Sequence, residues 1–279
     1  IMSIYEVKNT TINLIESLIN FNKNKTEKYE KFISFQSVRE YILLDVELFL
    51  IITSDDYDSS ISKDISILKT IIEFLKINIK FKDLTQMTLK VTNFLISSYL
   101  KISDDNCSKQ IKKSYTEPLN QTKDLKNIID PYIMIEIIND LLDLYSNTFE
   151  ITYLTCDLIT EFLNLNEDSN VKEFVISIIV NNFEKYSSKQ DIIEMFLKGI
   201  LQMVKKDFKK TKSRSSIIIN YDPSSIVYYL SKIYNSNLNK LNDNVLSYIF
   251  RIMRQVTKYP NLKTSLINEM FSIAKCIET

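Results

Sequence analysis

The 279-residue chain has one glycine, four prolines, no histidine and no tryptophan. Turns of types II, I′ and II′, β-bulges and phosphate-binding loops all depend on glycine. Its scarcity argues against β-sandwiches, β-barrels and doubly wound sheets, and it favours helices joined by polar loops. A chain of this length can bury a large core, so no disulfide or metal cross-link is required.

The absence of histidine removes the imidazole base of Ser-His-Asp and Cys-His catalysis. The three cysteines, Cys107, Cys156 and Cys276, are odd in number and far apart in the sequence. This pattern indicates reduced thiols rather than a disulfide framework, and it lacks the spacing of a zinc site. No metal ligand and no cofactor-binding residue is predicted.

Carboxylate catalysis remains an alternative, because Asp and Glu are plentiful. Two acidic pairs, Glu136 with Asp140 and Asp157 with Glu161, lie four residues apart on predicted helices. Such pairs are typical of solvated helix faces. No catalytic residue is predicted, and the chain is expected not to be an enzyme.

Charge and hydropathy also constrain the class of protein. The 35 basic and 35 acidic side chains give a formal net charge of zero, so no whole-chain attraction to nucleic acid or lipid is predicted. The longest apolar stretch, 42–52, is interrupted by Asp45 and Glu47 and is too short to span a bilayer. No signal peptide is recognised. We expect an intracellular protein, cytoplasmic or nuclear, without membrane insertion.

Helical spacing of apolar residues recurs along the chain and predicts an all-α protein of about 11–13 helices. We expect a single α-helical domain over 1–279. It is subdivided into N-terminal helices (1–103), a polar loop (104–127) and C-terminal repeats (128–279).

The C-terminal half contains a recurring unit of about 40 residues, interrupted by a polar insertion over 209–220. Three of its helices are predicted to begin at proline, where the missing N–H is not needed. The predicted unit starts are Pro131, Asn170, Pro223 and Pro260. In helix length, apolar spacing and Asp-Pro or Tyr-Pro starts, the stretch from 131 to 277 resembles the armadillo/HEAT α-solenoid superfamily. The resemblance implies a right-handed stack of helix pairs, and the lack of junction glycines favours the HEAT-like form. A plain helical bundle is the alternative.

In that superfamily the second helix of each pair lines the ligand-binding surface. The resemblance therefore implies that 149–163, 190–208 and 244–258 form this surface. Their polar residues change from acidic on the first helix to basic on the last, where two of the four arginines lie. The arginine fork binds carboxylates and phosphates through two hydrogen bonds. The candidate partner-binding residues are Lys198, Lys205, Arg251, Arg254 and Lys258, with Tyr229 as a possible exposed aromatic anchor.

The expected function is therefore that of a scaffold or adaptor that binds an acidic or phosphorylated segment of another protein. One alternative is a nucleic-acid-associated repeat protein, because six basic residues lie within 205–214. The simplest alternative is that the basic residues only solvate helix faces.

Overall fold

A computed structural model describes residues 4–55, 65–110, 129–165, 168–186, 188–213, 226–228, 230–231 and 241–258. These residues form helices with short connections and contain no β-strand, so the predicted all-α class is confirmed. The chain divides into two compact units, Ile1–Tyr145 and Ser146–Thr279.

The first unit contains six described helices. They are α1 (Ile4–Asn24), α2 (Thr26–Ser34), α3 (Gln36–Asp55), α4 (Ile65–Asn78), α5 (Lys82–Gln110) and α6 (Pro131–Leu144). The second unit contains α7 (Phe149–Leu165), α8 (Ser169–Asn182), a short 3-10 helix (Phe183–Tyr186), α9 (Gln190–Ser213) and α10 (Asp243–Val256). Residues 226–228 and 230–231 are also helical.

Helix α4 shows why the sequence folds this way in the first unit. Its apolar residues recur three and four positions apart, so they fall on one face of a helix. That face is buried, since Leu68, Ile71 and Leu75 are at most 4% exposed. Helix α4 contacts α1 and α5, α1 also contacts α2 and α3, and α3 contacts α5.

A buried polar contact joins α2 to the end of α4. The Tyr29 hydroxyl donates to Oδ1 of Asn78 at 2.8 Å, and Nδ2 of Asn78 donates to the Phe74 carbonyl at 3.0 Å. Burial raises the pKa of Tyr29 to about 12, and the hydrogen bond to Asn78 lowers it in part. Both polar groups of the Asn78 amide are satisfied, so the contact is compatible with a buried position.

The predicted Asp-Pro start of α6 is confirmed. Asp130 caps the helix by accepting a 2.9 Å hydrogen bond from the Tyr132 amide, and Pro131 occupies the first turn. Asp168 caps α8 in the same way, accepting from the Asn170 amide at 2.8 Å. The predicted proline starts at Pro223 and Pro260 lie outside the described residues and stay predictions.

Two predicted loops begin later than the sequence pattern suggested. Helix α5 continues to Gln110, so the start of the 104–127 segment is helical. Helix α9 continues to Ser213, so the start of the 209–220 insertion is also helical. Both segments are polar but lack glycine and proline over the extended residues, and a solvated helix can therefore continue through them. The remainder of 104–127 lies largely outside the described residues, and the predicted subdivision stays a prediction.

None of the described helices combines the length and apolar composition that crossing a bilayer requires.

Candidate partner-binding surface

Helices α7 and α9 pack side by side and run in the same direction. Just before their first residues, Nζ of Lys189 donates to the Ser146 carbonyl at 2.5 Å. At the C-terminal end of α7, Nζ of Lys206 donates to the Asn164 carbonyl at 3.0 Å, and α9 continues for about two turns beyond Lys206. Because the starts of the two helices lie together and a later turn of α9 contacts the end of α7, the two helices are parallel neighbours.

The chain's one glycine lies where α7 and α9 approach each other. A Cβ atom added to Gly199 would lie 2.6 Å from Oγ1 of Thr160 and 3.4 Å from Cβ of Thr160. The threonine hydroxyl donates to the Cys156 carbonyl at 3.0 Å, within α7. Any larger residue at position 199 would therefore force Thr160 or the two helices to shift.

Helix α10 lies on the other side of α9 and is parallel to it. At the N-terminal ends, the Asn242 amide donates to Oε1 of Gln190 at 3.2 Å. At the C-terminal ends, Nζ of Lys258 lies 5.6 Å from the centre of the Phe208 ring. Helices α7, α9 and α10 therefore form one layer of three parallel helices, in chain order. These are the three helices predicted to carry the binding surface.

The lysines and arginines predicted to bind a partner are accessible to solvent. They lie on α9, on α10 and just beyond the end of α10. Lys198, Arg251, Arg254 and Lys258 are exposed, and Lys205 is half-buried. Tyr229 lies outside the described residues. The Arg251 guanidinium stacks 5.2 Å from the centre of the Tyr248 ring on its own helix. Nζ of Lys258 donates to Oε1 of Gln255 at 2.8 Å. These contacts are made by the charged groups themselves, and both side chains remain exposed.

The acidic residue Asp157 on α7 lies close enough to Lys198 on α9 to feel its charge. Asp157 on α7 is half-buried, and this burial raises the pKa of its carboxyl, while the charge of Lys198 on α9 lowers it. Closer to the C-terminus of both helices, Nδ2 of Asn164 on α7 lies 3.4 Å from Oε1 of Gln202 on α9. The polar residues predicted on α7 and α9 therefore lie next to each other.

Two features of this surface were missed by sequence reasoning. Phe149 and Tyr153 on α7 are 46% and 43% exposed, and their ring centres are 6.1 Å apart. Their spacing of four residues at a helix start, beside the polar residues of α7, is a signal that could have identified them. The second feature is Lys206, which the sequence placed in a basic run but whose ammonium group binds the Asn164 carbonyl.

The other acidic pair considered for catalysis, in the first unit, is not isolated from cations. Oε2 of Glu136 accepts from Nζ of Lys76 at 2.7 Å. Burial, followed by the charges of Glu136 and Asp143, raises the pKa of Asp140, while Lys76 lowers it. Glu136 and Asp140 are exposed, so the arrangement is that of a surface ion pair with acidic neighbours.

The buried Cys156 is a free cysteine. Burial, and then the charge of Asp157, raises the pKa of its thiol. A buried thiol of this kind is a poor nucleophile, because the thiolate is the reactive form. Within the described ranges, no group of three or more His, Cys, Asp or Glu side chains is placed to hold a metal ion.

No protein-family model, curated protein or solved structure matches this chain.

Proposed function

We propose that this chain is a non-enzymatic α-solenoid scaffold that binds an acidic or phosphorylated segment of another protein. The proposed binding surface is formed by α9, α10 and the residue that follows α10, and its central residues are Lys198, Lys205, Arg251, Arg254 and Lys258. An intracellular location is part of the proposal and agrees with the free thiol of Cys156.

The parallel direction of neighbouring helices supports the solenoid. In an up-and-down bundle, helices joined by short loops are antiparallel neighbours. Here α8 returns the chain between α7 and α9, so helices of successive pairs lie side by side. The first unit shows a similar relation, because Arg39 near the start of α3 donates to Asp83 near the start of α5 at 2.9 Å.

The exposed cations of α10 carry the functional part of the proposal. Arg251 and Arg254 are three residues apart, so they lie on one face of α10, and Lys258 follows two residues after the helix ends. Lys198 and Lys205 lie on the neighbouring α9. Several accessible cations on one surface fit a ligand with several negative charges, and the two arginine forks suit carboxylate or phosphate oxygens.

The test compares peptide binding by the full chain and two charge-reversed variants. Fluorescein-labelled peptides of one sequence, carrying phosphoserine, glutamate or neutral serine, are titrated and followed by fluorescence anisotropy. We expect the phosphoserine and glutamate peptides to bind and the serine peptide to bind at least about tenfold more weakly. Arg251→Glu with Arg254→Glu should abolish this preference and keep the helical circular dichroism spectrum.

The matched control is Lys28→Glu with Lys31→Glu, which makes the same charge change at exposed positions of α2 in the first unit. It should leave peptide binding unchanged. Equal loss in both variants, or no loss in the arginine variant, would contradict the proposal. Steeply salt-dependent binding of single-stranded RNA, lost when the lysines within 205–212 are neutralised, would support the nucleic-acid alternative instead.

A further inference from the structure

Helix α3 of the first unit exposes apolar side chains on the face opposite its buried one. Tyr41 is 67% exposed, Leu44 66%, Leu48 43% and Ile51 52%. The buried face of the same helix contains Ile42, Val46 and Phe49, which are at most 2% exposed. Single exposed apolar residues are common, but four along one face indicate an interaction surface.

The four exposed residues have the spacing of a coiled-coil seam. Tyr41, Leu44, Leu48 and Ile51 are separated by three, four and three residues, which is the a, d, a, d pattern of two heptads. The seam extends over about 15 Å of helix. Its width suits one additional helix packed alongside α3 rather than a flat surface or a small molecule.

Acidic residues occupy three of the positions that flank this seam. With Tyr41 and Leu48 at a, the g positions are Glu40 and Glu47, and Asp45 occupies an e position. Glu40 and Glu47 are exposed. One oxygen of the Asp45 carboxylate, Oδ2, is buried without a hydrogen-bond partner in the part of the chain that the structure describes. The g side of the seam therefore bears two exposed carboxylates, and the e side bears the half-buried Asp45.

No basic residue of α3 neutralises this flank. The one basic residue in the helix sequence is Arg39. Its Nε donates to Oδ2 of Asp83 on α5 at 2.9 Å, and its NH1 donates to the carbonyls of Ile33 and Ser34. The guanidinium is therefore committed to contacts within the first unit.

The charges decide between a second copy of this chain and a different partner. In an antiparallel pair of identical helices, g faces g, so Glu40 would face Glu47 of the other copy. In a parallel pair, g faces e, so Glu40 would face Asp45. Both arrangements oppose like charges, and residues at e and g determine partner choice in coiled coils.

We propose that α3 is a docking site for an amphipathic helix of another protein, with apolar residues at its a and d positions and Lys or Arg at e and g. This site is on the first unit and is independent of the α9–α10 surface. The apolar seam provides the contact area, and the acidic flank selects the basic partner helix.

The experiment uses the full chain and three synthetic helical peptides, with binding followed by fluorescence anisotropy. The first peptide has leucine at a and d and lysine at e and g. The second replaces the lysines with glutamate, and the third keeps the composition of the first in scrambled order. The first should bind at least about tenfold more tightly than the other two.

Two variants of the protein test the apolar seam and the acidic flanking residues separately. Leu44→Ser with Leu48→Ser should weaken binding of the lysine peptide by at least about tenfold, because the two exposed leucines that the peptide would cover are lost. Glu40→Lys with Glu47→Lys should reverse the preference to the glutamate peptide. The control, Ile133→Ser with Leu144→Ser, alters exposed residues of α6 and should change nothing.

Sedimentation equilibrium completes the test. A dimer that the Leu44→Ser, Leu48→Ser variant dissociates would show that a second copy covers the seam and would overturn the proposal. Equal binding of the scrambled peptide, or binding unaffected by both α3 variants, would also overturn it. The charge variant alters exposed side chains, so it remains informative if the serine variant unfolds.

Discussion

Replacement of Gly199 by alanine tests how closely α7 and α9 pack. In an isolated helix the change stabilises the helical state by about 1 kcal/mol. In this protein the new methyl group would lie 2.6 Å from Oγ1 of Thr160, well inside van der Waals contact. Overpacking of this kind typically costs about 1–3 kcal/mol. We therefore expect Gly199→Ala to lower the free energy of unfolding by about 0–2 kcal/mol.

The change in unfolding free energy of Gly199→Ala alone does not show that Thr160 is the residue the new methyl group meets, so a double-mutant cycle is needed. In Thr160→Ala the closest remaining atom to the added methyl is Cβ, at 3.4 Å, a contact that needs little adjustment. The helix-propensity gain at position 199 should then become visible. We expect Gly199→Ala to be about 1–3 kcal/mol more favourable in the Thr160→Ala background than in the native one.

Thr152→Ala is the matched control for the cycle. Like Thr160, Thr152 lies on α7 and donates its hydroxyl to the carbonyl four residues earlier, at 3.0 Å from the Thr148 oxygen. It lies about 12 Å along the helix from Thr160. Its effect and that of Gly199→Ala should therefore add.

The assay is urea unfolding followed by circular dichroism, with the m-value used to check that each variant unfolds in the same way. Stabilisation of the native protein by the full helix-propensity gain in Gly199→Ala would show that the added methyl group meets no clash. Equal coupling of Thr160→Ala and Thr152→Ala to position 199 would show that Thr160 is not the residue it meets.

Two other variants probe buried polar groups by the same assay. Tyr29→Phe should lower the free energy of unfolding by about 1–3 kcal/mol, because Oδ1 of the buried Asn78 loses its hydrogen-bond donor. The control, Tyr153→Phe, alters an exposed tyrosine and should have little effect. Equal effects of the two variants would contradict this prediction. Asp157→Asn should stabilise the protein at neutral pH, because burial raises the pKa of Asp157 in the folded state more than Lys198 lowers it. The ionised carboxyl is therefore unfavourable above that raised pKa, and the advantage of asparagine should disappear as the pH falls below the ordinary value of 3.8. A difference that grew at low pH would contradict the argument.

The sequence predicted the helices well where apolar residues recur at helical spacing and where a capping residue marks the start. Asp130 before Pro131 is such a start, and the structure confirms it. The ends were harder to predict. Helices α5 and α9 continue into polar segments, because polarity alone does not stop a helix when glycine and proline are absent.

The sequence predicted the cationic surface of α9 and α10 but not the apolar seam of α3, and the difference has a physical reason. The cations of α9 and α10 could be identified because charge is visible in the sequence. The exposed seam of α3 could not, because its leucines and isoleucines have the same pattern as core residues. Only the position of the neighbouring helices determines which of the two apolar faces of α3 is covered. Similarly, the single glycine indicated a helical fold by its rarity, but its contact with Thr160 depends on how two helices pack.

The parallel direction of α7, α9 and α10 has an electrostatic consequence. Each helix carries partial negative charge at its C-terminus, and parallel neighbours direct these ends toward the same edge of the layer, with α9 continuing about two turns beyond the end of α7. The bond from Lys206 to the Asn164 carbonyl supplies a positive charge at the C-terminal turn of α7. Part of the basic character at this edge therefore stabilises the aligned helix ends. A variant that neutralised Lys206 together with the other lysines of 205–212 would therefore weaken the fold as well as any ligand contact.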